Sequence, residues 1–278
     1  MRVFFSGIGG VGIGPLAEIA ADAGYDVVGS DISSSLVTEE LERRSIQVSS
    51  DQSGEFLRQQ HEASEIDWYI YTSALAQDHP ELQVARQLGI RTGKRDELLA
   101  HIIQDKNLKL IAIAGTHGKT TTSGILGHIL NESGADVTAF IGGIVENYNS
   151  NLIGSGKTIT VVEADEFDRS FLHLHPNIAC ITSMDADHLD IYGTSEAIEE
   201  SFVEFANKIK DKSHLFITNE LPIEGVICAV NEDAVYKAFN VRVGNGSYIF
   251  DVQTPTEVIK DLHFGLPGRH NLMNALMA

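Results

Sequence analysis

Short apolar runs alternate with segments of helical spacing through the first hundred residues. A short apolar run that ends at a glycine is typical of a buried strand, and apolar positions about three or four residues apart are typical of a helix. Strands separated by helices predict a parallel, doubly wound sheet, because parallel neighbours need a crossover connection. The predicted strands are Val3–Phe5, Asp26–Gly29 and Trp68–Tyr71, and the predicted helices are Pro15–Ala23, Glu39–Arg44 and His79–Leu88.

The same alternation restarts after the polar segment QDKNLK, so we expect two α/β domains, at 1–105 and 106–278. The segment from Gly268 to Ala275 has the pattern of the first turns of a helix, close to the end of the sequence, and we therefore expect a longer parent protein. The remaining predicted strands are Leu110–Ile113, Asp136–Phe140, Thr158–Val162, Ile178–Thr182 and Leu215–Ile217, and the remaining predicted helices are Gly124–Asn131, Ser195–Ala206 and Asn231–Phe239.

A first glycine loop, GIGGVG at residues 7–12, lies between a predicted strand and a predicted helix. Glycines at this spacing allow a tight turn and let a diphosphate approach the helix N-terminus. Asp31, at the end of the next strand, is placed to accept a hydrogen bond from a ribose hydroxyl or a base. The pattern predicts a phosphate-bearing ligand without naming it. Glycines kept only for close packing of strand and helix are the alternative.

A second loop, Gly115–Thr120, also follows an apolar strand and precedes a helix. Backbone N–H groups of such a loop cradle phosphates, Lys119 can reach the β- and γ-phosphates, and the Thr120 hydroxyl can bind Mg²⁺. A strict Walker pattern has a glycine at position 113, where this chain has Ile113. The sequence therefore predicts a shortened variant of an ATP-binding loop.

Acidic segments follow two predicted strands of the second domain. The first, at 163–168, begins with Glu163, and the second, at 185–190, contains His188. Ligands of open α/β sheets gather at the carboxyl ends of the strands, so a carboxylate there can hold Mg²⁺ beside ATP. Carboxylates around a histidine can form a second metal site or orient the imidazole. A solvated acidic turn is the alternative for the first segment.

The charge balance is acidic, with 20 Lys and Arg against 39 Asp and Glu, a net charge of −19. This argues against a broad nucleic-acid or anionic-membrane surface, which needs clustered basic side chains. It still allows a phosphorylated ligand held by backbone N–H groups. Cys180 and Cys228 lie in apolar runs and are expected to be buried, and the absence of a long apolar segment makes the cytoplasm the expected location.

Six motifs occur in a fixed order along the whole chain: GIGGVGIG, TSAL, AGTHGKTTT, EADEFDRSF, DADHLDIYG and GRHNLMNA. Together they resemble the Mur ligase family. The resemblance implies a Rossmann-like N-terminal domain for a UDP-sugar, followed by a P-loop-type ATPase central domain and a third domain. We expect the third domain to be missing from this chain, which puts turnover by the chain alone in question.

The resemblance further implies an ATP-dependent ligase of peptidoglycan synthesis, which joins L-alanine to UDP-N-acetylmuramic acid through an acyl phosphate and uses Mg²⁺. The implied catalytic residues are Lys119, Glu163 and His188, and the implied metal ligands are Thr120, Glu163 and His188. The implied ATP-binding residues are Gly115, Thr116, His117, Gly118, Lys119, Thr120, Thr121, His270, Asn271 and Asn274. The implied UDP-sugar-binding residues are Gly9, Gly10, Val11, Gly12, Asp31, Thr72, Ser73, Gly142, Gly143 and Asn151.

Three other interpretations stay open. A relative that attaches a whole tripeptide to the same sugar is the nearest alternative within the family, although the motif TSAL and the DRSF segment favour the addition of L-alanine. An NAD-dependent oxidoreductase would account for the first glycine loop and Asp31, but it leaves the second loop and both acidic segments unexplained. A nucleotide-sugar-binding fragment without catalytic activity is the third.

Overall fold

The computed structural model describes residues 1–72, 75–185, 194–244 and 246–278. Within them the chain divides into two compact units, Met1–Asn107 and Leu108–Ala278. Ser73 and His188, two of the expected site residues, lie outside the described residues.

The first unit is a five-stranded parallel sheet with helices between its strands. Its strands are β1 (Arg2–Ser6), β2 (Asp26–Ser30), β3 (Gln47–Ser49), β4 (Trp68–Tyr71) and β5 (Arg91–Lys94), and its helices are α1 (Gly14–Asp22), α2 (Leu36–Arg43), α3 (Glu55–Ala63), α4 (Pro80–Gln87) and α5 (Arg95–Asp105). The strand order β3-β2-β1-β4-β5 confirms the predicted doubly wound architecture. The sequence did not predict β3, β5 and α3, of which the two strands have only three and four residues.

The core of this unit packs around the central strand β1. Phe4 and Tyr69, on the adjacent strands β1 and β4, stack with ring centroids 5.8 Å apart. Leu57 of α3 and Leu82 of α4 are fully buried in the same cluster. Each such side chain contributes about 1.5–3 kcal/mol by leaving water. Because β2 and β4 lie on opposite sides of β1, the loop after β1 sits at the topological switch point, where open α/β sheets bind ligands.

The second unit is built on a sheet of ten described strands in the order β15-β14-β13-β12-β11-β10-β6-β9-β7-β8. Its strands are β6 (Lys109–Ala114), β7 (Val137–Val145), β8 (Ser150–Ile153), β9 (Ile159–Glu163), β10 (Ile178–Ile181), β11 (Leu215–Thr218), β12 (Val226–Val230), β13 (Tyr236–Gly244), β14 (Ser247–Gln253) and β15 (Val258–Phe264), and its described helices are α6 (Lys119–Glu132), α7 (Ser195–Asn207) and α8 (Arg269–Met277). The strands from β13 to β7 in this order are parallel, whereas β8, β14 and β15 are antiparallel to their neighbours. Since β9 and β10 flank β6 on opposite sides, the loop after β6 lies at a second switch point.

The helix predicted over Asn231–Phe239 is wrong, because the segment from Tyr236 onward forms strand β13. Ala238 is fully buried and pairs with Val230 of β12, and Phe239 pairs with a residue of β14. The spacing of apolar positions is ambiguous over so short a segment, and hydrogen bonds from strands on both sides favour the extended conformation.

The two cysteines are buried, and the described helices do not suit a membrane. Cys180 on β10 and Cys228 on β12 are free thiols, which confirms the expectation of small buried side chains. Burial raises the pKa of both thiols, that of Cys228 to about 12. In the described part of the chain, no helix is long and apolar enough to span a bilayer.

Candidate functional site

The loop between β6 and α6 turns on two glycines with left-handed backbone angles. Gly115 has φ +134° and Gly118, the N-cap of α6, has φ +86°. A Cβ at Gly115 would overlap the Thr182 hydroxyl and would lie 2.9 Å from the Ser183 nitrogen. Only glycine fits this backbone conformation and this close approach. The loop is therefore packed tightly against the end of β10, with its N–H groups at the start of a long helix.

Hydroxyl groups that follow β10 hold the loop in shape. The His117 N–H donates to Ser183 Oγ at 2.8 Å, and the hydroxyls of Thr116 and Ser183 are also 2.8 Å apart. The Thr182 hydroxyl donates to the His117 carbonyl. Ser183 was not predicted from the sequence as a site residue. The sequence feature that could have indicated it is a pair of residues with hydroxyl side chains, Thr182 and Ser183, directly after β10, the strand beside β6.

Lys119, the first residue of α6, forms a buried ion pair. Its ammonium group donates to both carboxylate oxygens of Glu166, at 2.9 and 2.7 Å, and to the Gly115 carbonyl at 2.7 Å. The Glu166 side chain is only 1% exposed and that of Lys119 13%. Within the acidic segment, Glu163 was predicted as a site residue and Glu166 was not. The carboxylate that neutralises Lys119 is thus three residues further along.

Glu163, the last residue of β9, joins the loop to strand β7. Its Oε1 accepts from the Thr120 hydroxyl at 2.8 Å, and its Oε2 accepts from the Gly142 N–H at 2.6 Å. A Cβ at Gly142 would lie 2.6 Å from that second oxygen, so a larger residue would displace the carboxylate. The structure therefore brings together Thr120 and Glu163, the two described members of the expected metal-ligand set.

The Thr120 and Glu163 oxygens fit a magnesium ion in their chemistry. Mg²⁺ prefers hard oxygen ligands and is usually held by one or two carboxylates, with phosphate and water oxygens completing six positions. In the described residues there is no group of three or more His, Cys, Asp or Glu side chains that could hold a metal by itself. Asp185 stays near the loop through its N–H, which donates to Thr116 Oγ1 at 3.0 Å.

Helix α8 brings one of its three expected ATP-binding residues to the loop. Asn274 is buried, and its Oδ1 lies 2.5 Å from the position that a Cβ at Gly118 would occupy. The Asn271 amide instead donates to the Pro267 carbonyl at 2.7 Å. His270 packs against Gly268, which has φ +101°.

The other expected residues of this unit lie on three elements. Thr121 is in the first turn of α6. Gly143 follows Gly142 on β7, and a Cβ there would lie 3.7 Å from the Thr120 methyl group. Asn151 is buried on β8, the antiparallel neighbour of β7. These positions are compatible with the expected sugar end of the ligand, and their roles stay a prediction.

In the first unit, the glycine loop after β1 is joined to the end of β2. The N–H groups of Gly7 and Ile8 donate to the Ser30 carbonyl, and the Gly9 N–H donates to Asp31 Oδ2 at 2.9 Å. Asp31 Oδ1 accepts from the Ser33 N–H at 3.0 Å. Asp31 was expected to face a ribose or a base, and in this structure its carboxylate binds the loop itself.

Gly12, at the other end of the same loop, lies against Arg95, a residue that was not predicted from the sequence as part of the site. A Cβ at Gly12 would overlap Arg95 Nη1 and would lie 3.6 Å from Arg95 Cζ. The Gly10 N–H donates to the Gly7 carbonyl at 3.0 Å, and the Val11 side chain is exposed. The Thr72 carbonyl, after β4, accepts from the Leu75 N–H at 3.0 Å. The pattern of a basic residue directly after a strand was the available signal for Arg95.

Beneath this loop lies a buried carboxyl group. Glu81, in the first turn of α4, is fully buried, and its Oε2 accepts from the Ser6 hydroxyl at 2.6 Å. Its Oε1 has no hydrogen-bond partner among the described residues. Burial raises the pKa of Glu81 to about 6, while the nearby hydroxyls of Ser30 and Ser6 lower it.

Two family comparisons cover most of the chain. Residues 113–278 match the Mur ligase middle domain, and residues 2–107 match the Mur ligase family, catalytic domain. Relatives with high identity extend over the whole chain. The UDP-N-acetylmuramate–L-alanine ligases of Flavobacterium johnsoniae and Flavobacterium psychrophilum are 59% and 56% identical over 277 residues, which is 100% of this chain. The chain spans 61% of the length of each of these relatives.

Solved structures of other ligases share the fold of this chain. A UDP-N-acetylmuramate-alanine ligase from Thermotoga maritima matches with a TM-score of 0.82 at 26% identity, over 100% of this chain and 63% of that chain. A UDP-N-acetylmuramate:L-alanyl-gamma-D-glutamyl-meso-diaminopimelate ligase from Neisseria meningitides also has a TM-score of 0.82, at 24% identity over 99% of this chain and 91% of that one, which supports the fold alone. With a matching middle domain, a matching first domain and relatives of this identity, the chain belongs to the Mur ligase family.

Proposed function

We propose that this chain supplies the nucleotide-sugar-binding and ATP-binding domains of a ligase that joins L-alanine to UDP-N-acetylmuramic acid. The observation that carries the proposal is the arrangement at the second switch point, where Lys119 and the Thr120–Glu163 pair meet at one glycine loop. The identity of 59% to the Flavobacterium johnsoniae alanine ligase supports this substrate choice. The proposed domains are 1–105 for the UDP-sugar and 106–278 for ATP.

In the proposed ATP site, the N–H groups of residues 115–118 surround the phosphates and Lys119 contacts the β- and γ-phosphates. Thr120 and Glu163 would hold Mg²⁺, whose chemistry is to neutralise the negative charge that the phosphates and the substrate carboxylate bring together. The positions of Asn274 beside Gly118 and of Asn271 on the same helix support roles near the nucleotide. His188 keeps its proposed role as a ligand of a second metal.

The proposed chemistry follows from the poor reactivity of a carboxylate as an acyl donor. A lactyl carboxylate oxygen attacks the γ-phosphorus of ATP, ADP leaves, and an acyl phosphate forms. The amine of L-alanine then attacks the acyl carbon, the bond from that carbon to the phosphate oxygen breaks, the amine loses a proton, and inorganic phosphate leaves. Lys119 holds the transferred group in line, which lowers the barrier by positioning and by charge stabilisation.

Binding measurements on the 278-residue chain test the division of labour between the two domains. Calorimetry should detect UDP-N-acetylmuramic acid and a non-hydrolysable ATP analogue with Mg²⁺, and no binding of NADH. Lys119→Ala should weaken binding of the ATP analogue at least about tenfold and leave the affinity for the UDP-sugar unchanged. Only the ATP analogue loses a charged contact to its phosphates in this variant. Lys157→Ala, a change at an exposed lysine of the same unit, is the matched control.

Two outcomes would contradict the proposal. Binding of NADH without the UDP-sugar would return the oxidoreductase interpretation, and loss of UDP-sugar binding in Lys119→Ala would refute the division of labour. Turnover is tested with a chimera that joins this chain to the part of the Flavobacterium johnsoniae enzyme that the chain does not cover, by measuring phosphate release with UDP-N-acetylmuramic acid and L-alanine. Lys119→Ala should abolish that release. A chimera that binds UDP-N-acetylmuramic acid and the ATP analogue but releases no phosphate would leave only the binding-fragment interpretation.

A further inference from the structure

Arg95 occupies the carboxyl edge of the parallel sheet in the first unit. It is the first residue of α5 and directly follows β5. The start of this helix is fixed because the Lys94 N–H donates to Glu97 Oε1 at 2.9 Å. In a parallel sheet the residues after each strand lie at one edge, so the start of α5 and the loop after β1 share that edge.

The Arg95 guanidinium lies directly on the last glycine of the first loop. Its Cζ is 3.6 Å from the position that a Cβ at Gly12 would occupy, and its Nη1 is closer still. Arg95 as a whole is an exposed residue. A guanidinium presents five N–H donors in a fork that matches phosphate oxygens.

The two ends of the loop differ in charge. At the first end, the Asp31 carboxylate accepts from the Gly9 N–H at 2.9 Å and presents a negative charge. At the second end stands Arg95, beside Gly12. A ligand with two phosphates that enters along this loop is repelled near Gly9 and attracted near Gly12, and the N-terminus of α1 adds positive potential at that same end. The cation therefore sets where the diphosphate can lie.

From this geometry we infer that Arg95 binds the diphosphate of the nucleotide-sugar, and that it does so at the Gly12 end of the loop. The inference rests on the proposed function and adds a ligand-binding residue to it. A side chain at position 12 would displace the guanidinium from this place. UDP and uridine are the probes that separate this role from a structural one, because they differ only in the diphosphate.

Calorimetry on the 278-residue chain with UDP and with uridine tests the inference. The unmodified chain should bind UDP more tightly than uridine. Arg95→Ala should weaken UDP binding about tenfold or more and change uridine binding less than about twofold, since a charge-assisted phosphate contact is lost and nothing that touches the nucleoside is. Arg95→Lys should recover part of the loss, because it restores the charge without the fork. Arg43→Ala, which removes an exposed cation on α2, is the matched control and should change neither affinity.

The outcomes distinguish this inference from the proposed function. Equal UDP affinity in Arg95→Ala and the unmodified chain would overturn the role of Arg95 and leave the proposed function standing. An equal loss of UDP and uridine binding would also overturn it, because it would show a structural role. Absence of UDP binding in the unmodified chain would refute both. The fluorescence of Trp68, the single tryptophan and fully buried in this unit, verifies that each variant is folded.

Discussion

Replacing Glu81 by glutamine should stabilise the first unit above neutral pH. Glu81 is fully buried, one of its carboxylate oxygens has no described hydrogen-bond partner, and burial raises its pKa from 4.5 to about 6. An acid whose pKa is raised by folding binds its proton more tightly in the folded state. Its contribution to stability is therefore fully present below pH 4.5 and is lost as the pH rises through about 6.

The size of the effect follows from the difference between the two pKa values. A tenfold difference in proton affinity corresponds to about 1.4 kcal/mol, so ionised Glu81 costs about 2 kcal/mol above its folded pKa. Glutamine has the same shape and keeps an oxygen that can accept from the Ser6 hydroxyl. Since the glutamine NH₂ group also lacks a described partner at this position, about 2 kcal/mol is the upper bound of the gain in unfolding free energy at pH 7.5.

The assay is urea unfolding followed by the fluorescence of Trp68, at several pH values from 4.5 to 8. Because Trp68 is the single tryptophan and lies on β4, its signal reports the first unit separately from the second. The difference in unfolding free energy between Glu81→Gln and the unmodified chain should grow by about 2 kcal/mol between pH 4.5 and 7.5. Glu62→Gln, at an exposed position of α3, should give a difference that does not change with pH.

A pH-independent difference for Glu81→Gln would refute the reasoning, because it would show that Glu81 has the same proton affinity in the folded and unfolded chain. A difference that grew in the opposite direction would show that the carboxylate, and not the acid, is the form that the fold stabilises. The first result would mean that hydrogen bonds to Glu81 balance its desolvation, and the second that they outweigh it.

Three further predictions concern the second unit. Gly115→Ala should lower its unfolding free energy by about 3 kcal/mol in calorimetry, because a φ of +134° and a Cβ against β10 are both unfavourable for alanine; an unchanged melting temperature would contradict the described backbone. Glu163→Gln should weaken Mg²⁺-dependent binding of an ATP analogue about tenfold, with Glu132→Gln at the end of α6 as control, whereas equal affinities would remove Glu163 from the metal site. Ser183→Ala should speed hydrogen exchange at the His117 amide about tenfold, since that N–H loses its acceptor; unchanged exchange would show that another group protects the amide.

The parts of the fold that were predicted depend on local sequence. An apolar strand, a glycine loop and a helix follow one another within about 25 residues at both switch points, so β1, α1, β6 and α6 could be recognised from spacing alone. Strand β13 was mistaken for a helix because its conformation depends on pairing with β12 and β14. The short strands β3 and β5 depend on their neighbours in the same way.

The parts of the site that were missed depend on contacts between distant residues. Glu166 meets Lys119 across 47 positions of sequence, and Ser183 meets His117 across 66. A list of acidic residues identifies candidates for a site, but it does not say which carboxylate faces the lysine and which the threonine. That choice is made by the turn after β9, whose geometry the spacing of residues does not specify.

The buried pair of Lys119 and Glu166 has a consequence for which anions the second loop can hold. The Glu166 carboxylate, 2.7 Å from the Lys119 ammonium group, cancels most of the positive charge that the lysine would present to an anion. An anion that binds through Lys119 must first replace Glu166, and a buried carboxylate that loses its cation costs about 3–5 kcal/mol. The ion pair therefore sets an energetic threshold for anion binding through Lys119, and a ligand with several phosphates has more contacts with which to offset it.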